Sequence, residues 1–283
     1  MSKFKSATCQ NLQDAKTVLV GLPTDQGARS ARKGREEGPL ALRRVSQILY
    51  APETGKDNPH VFDSGDLALL ESNDIYQNLN LIADKAYELA QNKKQAIFLG
   101  GDCSVKHGVC KGLDRLGKKI GVVYIAAHPG CVESETPYFG SVMADNLTLK
   151  NVRPENCIIV GARSTEVREY EFMATKGVQY ISALDLYRQG VVAVAHRISV
   201  LMADVDIVQL SVDIDAVDPA FAPGVGCPVP GGITPIRMLD LITRLKKIPV
   251  ASLEIAEYIP KFDDLNDATA HLICRIVQEW TAL

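Results

Sequence analysis

Eight short apolar runs recur along the chain, and most are nearly continuous in valine, isoleucine and leucine rather than alternating. Continuity of this kind belongs to strands covered on both faces, as in parallel sheets sandwiched between helices. The spacing predicts strands at Thr17–Gly21, Val61–Leu67, Ala96–Gly100, Val122–Ala126, Cys157–Gly161, Val178–Ile181, Ile207–Asp213 and Ala251–Ala256. Amphipathic stretches between them predict helices at Leu40–Leu49, Ile75–Asn92, Ser104–Leu116, Thr165–Thr175, Ala183–Met202, Pro235–Leu245 and Ala268–Trp280. Strand–helix alternation over the whole length predicts a doubly wound α/β fold with a mostly parallel sheet. No linker, low-complexity segment or internal repeat interrupts it, so one domain over residues 1–283 is expected. In such folds the site forms at the carboxyl ends of the strands, which makes the residues just after each strand the informative ones.

Composition excludes several function classes. A net charge of −3 and a pI near 6.0 give no electrostatic footprint for nucleic acid or an anionic membrane. The basic cluster Arg29, Arg32, Lys33 and Arg35 runs straight into Glu36 and Glu37, so it reads as a solvated loop. No apolar run approaches the roughly 20 residues of a membrane span, and the stretch MSKFKSATCQ lacks a signal-peptide core. Seven cysteines without paired spacing suit reduced thiols, and a cytoplasmic location is expected.

Three strand ends carry chemistry. FLGGDCS (98–104) follows the third strand and IAAHPG (125–130) the fourth. LSVDIDAVDPAFAPGVGCPVPGGIT (210–234) follows the seventh. Asp213 and Asp215 are two apart, so in strict strand geometry they would face opposite sides of the sheet. Placed where the strand breaks up, both can converge on one cation. The four glycines and three prolines of PGVGCPVPGG then make a rigid loop. An acidic turn that merely caps a helix would also read DxDxxDP, so this motif alone does not decide.

Taken with SLEIAEYIPKFDD (252–264), these segments resemble, in this order, the ureohydrolase family of arginase, agmatinase and formimidoylglutamase. The stretch GLPTDQGARSARKGREEGPLALRR is similar to that family's first strand and loop, GxxxGRxGAxxGPxxIR, and the flavour is closest to formimidoylglutamases. The resemblance implies an arginase-like three-layer αβα sandwich around a central, eight-stranded parallel sheet. It also implies hydrolysis of a guanidine or amidine carbon by a hydroxide bridging two Mn²⁺ ions.

The ligands of that metal pair come from GGDH, DAHxD and SxDxDxxDP, and here the set is broken. Cys103 stands at the histidine of the first motif, and Ala126 and Gly130 stand at the two aspartates of the second. His128, Asp213 and Asp215 are the remnant ligands. Two carboxylates balance at most one divalent ion, so binuclear manganese is not expected; no metal, or a single weak Mn or Zn ion, is. Cys103 with His107, at i and i+4, would hold zinc only if both faced the strand ends, whereas His107 should point one turn down the helix. Free cysteine is commonly just a small buried residue. The family's proton-transfer histidine has no counterpart, since no histidine lies between His128 and His196, and Tyr138 and Glu135 read as solvated. The threonine of the family's GTP step is Cys227. Glu257 falls on the family's substrate-binding glutamate and Asp218 is kept, which implies a small guanidine- or amidine-like ligand. The expected role is binding, regulation or assembly as a homo-oligomer, trimer or hexamer by resemblance. The competing expectation is an active hydrolase with one metal or a rearranged site. Crowded at one strand end, the two acids should raise the pKa of one of them or recruit a cation.

Overall fold

The computed structural model describes residues 3–72 and 74–283. Its strands are β1 (Thr17–Gly21), β2 (Val61–Asp66), β3 (Gln95–Leu99), β4 (Ile120–Ile125), β5 (Val152–Ala162), β6 (Gln179–Ser182), β7 (Ile207–Asp213) and β8 (Val250–Ala256). They form one eight-stranded sheet in the order β2-β1-β3-β8-β7-β4-β5-β6. Every neighbouring pair is parallel, so the sheet is wholly rather than mostly parallel. The expectation of one domain over 1–283 takes in residues 1, 2 and 73, which lie outside the described residues.

The helices are α1 (Gly38–Ser46), α2 (Ile75–Gln91), α3 (Val105–Asp114), α4 (Val142–Asn146), α5 (Val167–Lys176), α6 (Ala183–Gln189), α7 (Val191–Leu201), α8 (Pro235–Leu245) and α9 (Ala268–Thr281). They cover both faces of the sheet. Leu19 of β1 and Val123 of β4 join Leu42, Ile198, Leu241 and Ile273 in one apolar cluster. Val18 and Val122, one residue earlier on the same strands, join Ile82, Val109 and Met173 in the other. Successive strand side chains point to opposite faces, so a strand buried on both must be apolar at every position. That is the physical origin of the continuous runs.

Two local readings needed correction. The single helix expected at Ala183–Met202 is two, broken at Gly190, whose φ of 80° and ψ of 156° suit glycine alone. The fifth strand begins at Val152, earlier than its apolar run, because its first residues pair with β4 through Val152 opposite Ile120.

The sheet order decides where the motifs meet. β3, β8, β7 and β4 are consecutive in the sheet, so GGDCS, EIAEY, VDID and AAHPG emerge side by side at its carboxyl edge. A second buried polar cluster sits at the end of β2. Arg43 of α1 grips Asp63 with two bonds, Nε to Oδ2 at 2.8 Å and Nη2 to Oδ1 at 3.0 Å, and also bonds Asp66.

Candidate functional site

At the carboxyl edge, Cys103, Lys106, His128, Asp213, Asp215 and Glu257 line one cavity of about 10 Å³. That is room for no more than about one water molecule. Gly130 and Cys227 line it too. Ala126, at the end of β4, is buried and brings no donor atom.

Each acid is answered by a cation of the chain itself. Lys106, in the first turn of α3, reaches down to Asp213, with Nζ 2.5 Å from Oδ2. Both side chains are 3% exposed. Burial disfavours the Lys106 charge, yet the adjacent Asp213 carboxylate outweighs it and lifts the ammonium above its ordinary pKa. The ammonium also lies 4.6 Å from the centre of the Tyr124 ring, a further attraction for a desolvated cation. Cys103 gives its S–H to the same Asp213 oxygen at 3.2 Å, and burial first, then Asp213, pushes this thiol well above its usual range. It is a thiol, not a thiolate.

His128 donates from Nδ1 to Asp215 Oδ2 at 2.9 Å, and Ala127 N–H donates to Oδ1 at 3.1 Å. Burial works against the imidazolium, but its bond to Asp215 prevails and raises its pKa; Asp215 is held low, against burial, by the same bond. Burial raises the carboxyl of Asp213, and Lys106 draws it back. The crowding of two acids has thus recruited a lysine and, with burial, left the Asp213 carboxyl raised, both of the outcomes expected. Asp213 Oδ1 accepts no hydrogen bond.

Glu257 follows β8 with a left-handed φ of 72°, a rare conformation for a side-chain-bearing residue. Its Oε1 accepts the Cys103 N–H at 2.9 Å, and its Oε2 accepts Nε of Arg35 at 2.7 Å. Arg35 is wholly buried, not on a solvated loop as its neighbours in sequence imply. Asp102 completes the cluster. It accepts the N–H groups of Gly27 and Ser104, both at 2.9 Å, and burial, with Glu257 nearby, pushes it up to about 6.

Other predicted residues stand elsewhere. Asp218 lines no part of this cavity; it accepts the N–H groups of Ala220, Gly231 and Gly232 and so braces its own loop. His107 turns to Asn146 Oδ1 at 2.9 Å and makes no pair with Cys103. Tyr138 lies beneath the Arg29 guanidinium at 3.7 Å, and Glu135 is exposed. Sequence reasoning missed Lys106 and Arg35. A signal existed for each. Lys106 lies three residues beyond Cys103, one helical turn away, and Arg35 stands where the pattern GAxxGP has alanine.

Sites at the carboxyl ends of strands are common to parallel α/β sheets, and comparison with known proteins supplies the family. The Arginase family model matches residues 15–282, and the chain belongs to that family. It is 29% identical to an arginase of Bacillus subtilis over 247 residues, 77% of this chain and 82% of the relative. It is 30% identical to an agmatinase of Escherichia coli over 264 residues, 88% and 81% of the two chains. Among solved structures it superposes on the agmatine ureohydrolase of Thermoplasma volcanium with a TM-score of 0.87 at 25% identity, over 99% of this chain and 93% of that one. The formimidoylglutamase of Bacillus subtilis shares the fold, with a TM-score of 0.89 at 22% identity over 96% and 88%.

Proposed function

We propose that this arginase-family chain works without a binuclear manganese centre, and that its role is binding, regulation or assembly rather than guanidine hydrolysis. The observation that carries the reading is Lys106. Its ammonium lies 2.5 Å from Asp213 Oδ2, the carboxylate that a metal would need. A lysine held charged there repels a divalent cation brought to the same carboxylate. The donor set points the same way: Ala126 and Gly130 supply no oxygen, Cys103 keeps its proton, and His128 spends Nδ1–H on Asp215. Among the described residues no group of three or more His, Cys, Asp or Glu is arranged to hold a metal. These residues do not fit a manganese pair.

The second reading is an active hydrolase of linear amidines or guanidines that uses one metal or a rearranged site. Family membership favours it, since the relatives bear the names arginase and agmatinase. One experiment separates the two. The protein is purified in excess Mn²⁺, desalted and analysed for metal, then assayed for urea release from arginine and agmatine and for ammonia release from formamidine. Less than one manganese per chain and no urea or ammonia above the buffer rate are expected; two manganese ions per chain, or turnover of any of the three, would overturn the reading. A homo-oligomer, trimer or hexamer, is the assembly proposed with it.

A further inference from the structure

The Arg35 side chain is bound the way a protein binds a guanidinium ligand. It starts a single 3-10 turn (Arg35–Glu37) placed by Gly34, whose φ of 124° is open to glycine. Nε meets Glu257 Oε2 at 2.7 Å, and Nη2 lies 2.7 Å from that same oxygen. Nη1 meets Asp25 Oδ1 at 3.0 Å and the Arg32 carbonyl at 2.9 Å, and Nη2 also meets Ser30 Oγ at 3.2 Å. Four hydrogen bonds thus meet the fork, two of them to carboxylates, and Nη2 is within ion-pair distance of the Glu257 oxygen as well.

The receptor is built independently of the arginine. The Cys103 N–H fixes one oxygen of Glu257, and the Gly34 N–H fixes Asp25 Oδ2 at 2.8 Å. Gly226 forms a wall: a Cβ there would lie 1.8 Å from Nη2, so only a residue without a side chain leaves the plane of the guanidinium free. Glu257 also lines the cavity of Asp213 and Asp215, so this receptor opens onto the candidate site.

We infer that Glu257, Asp25, Ser30 and the Arg32 carbonyl form a guanidinium receptor whose resident ligand is the chain's own Arg35. A tethered ligand at such high local concentration excludes a free guanidine, and the receptor becomes available only when the Arg35 side chain leaves it. The inference extends the reading that the chain's own cations fill the site. Its test measures neither metal nor hydrolysis, so either can fail alone.

The test is replacement of the tethered ligand by a free one. Full-length Arg35→Ala is melted in rising millimolar methylguanidinium chloride, with methylammonium chloride and urea as controls. A saturable rise in Tm is expected for the variant with methylguanidinium alone, and none for the wild type, because only a ligand that prefers the folded state stabilises it. In Arg35→Ala/Glu257→Gln the effect should weaken at least about tenfold in concentration, the loss of one charge-assisted bond. If Arg35→Ala does not fold, refolding with methylguanidinium should restore it where methylammonium does not. No rescue by either route, equal rescue by methylammonium, or full rescue of the double variant would overturn the inference.

Discussion

Two buried ionic clusters stand at strand ends of the same sheet, and they differ in how fully their carboxyl groups are satisfied. At the end of β2, Arg43 meets Asp63 and Asp66, and the N–H groups of Phe4 and Gly65 take up the remaining bonds of Asp63. Burial works against the Asp63 charge, but Arg43 holds that carboxyl below its ordinary pKa. No side-chain oxygen of that cluster is both buried and unpartnered. At the ends of β3, β4, β7 and β8, four buried acids, Asp102, Asp213, Asp215 and Glu257, crowd against Lys106, His128 and Arg35. There Asp213 Oδ1 is orphaned, and Asp102 is pushed up to about 6. Each cluster has one carboxyl more than it has cations, but the surplus at β2 is the part-exposed Asp66, whereas at the mouth of the sheet it is fully buried with an unpartnered oxygen, which marks a site.

The largest expected effect comes from breaking the fully hydrogen-bonded cluster at β2. Arg43→Met should cost about 3–5 kcal/mol by chemical unfolding, since it leaves a buried carboxylate alone. Asp213→Asn should cost less, about 2–3 kcal/mol, because Lys106 loses its partner but other acids remain near. Adding Lys106→Met to Asp213→Asn should recover most of the loss, a coupling that a double-mutant cycle measures. Additive losses would show that the pair does not form.

The difference in how the carboxyl groups are satisfied also gives a difference in pH response. Burial pushes Asp102 up to about 6 and, against its bond from Ser211, Glu254 up to about 7. A carboxyl raised in the folded state binds its proton more tightly there, so stability falls as pH rises through the window between unfolded and folded values. His128, raised through Asp215 despite burial, contributes in the same sense: its stabilisation is full below the unfolded pKa and fades above the folded one. Asp63, lowered, acts oppositely and loses its contribution only on acidification. Stability should therefore drop by about 2–4 kcal/mol between about pH 5 and about pH 8, with Glu254→Gln flattening the slope. Urea unfolding across that range reads it, and stability rising with pH would contradict the picture of buried, raised carboxyl groups.

The fold was legible because parallel strands buried on both faces leave little choice of residue, as Val122–Ile125 illustrates. The convergence of Cys103, His128, Asp213, Asp215 and Glu257 was legible too, because strand ends and a Gly/Pro-rich loop fix where their backbones go. The partners of the acids were not. Sequence periodicity places a Cα, whereas Lys106 and Arg35 act through charges several bonds away, at the ends of flexible stems. Arg35 sits among exposed charged neighbours and is buried only because Gly226 leaves space for its guanidinium. Asp218 shows the converse: its motif position suggested the site, but backbone N–H groups of its own loop claim it.

The claim that Lys106 stands where a metal would need Asp213 is tested most directly by rebuilding the ligand set with and without the lysine. Cys103→His, Ala126→Asp and Gly130→Asp would restore three donors beside His128, Asp213 and Asp215. Gly130 has a φ of 67°, strained for most side chains but tolerated by aspartate better than by most, and a Cβ there would meet nothing closer than 3.6 Å. Calorimetric titration with Mn²⁺ should detect binding when Lys106→Ala accompanies the three substitutions. It should detect little in the triple variant that keeps Lys106, and none in the wild type. Equal affinity with and without the lysine, or two manganese ions bound by the wild type, would contradict the account.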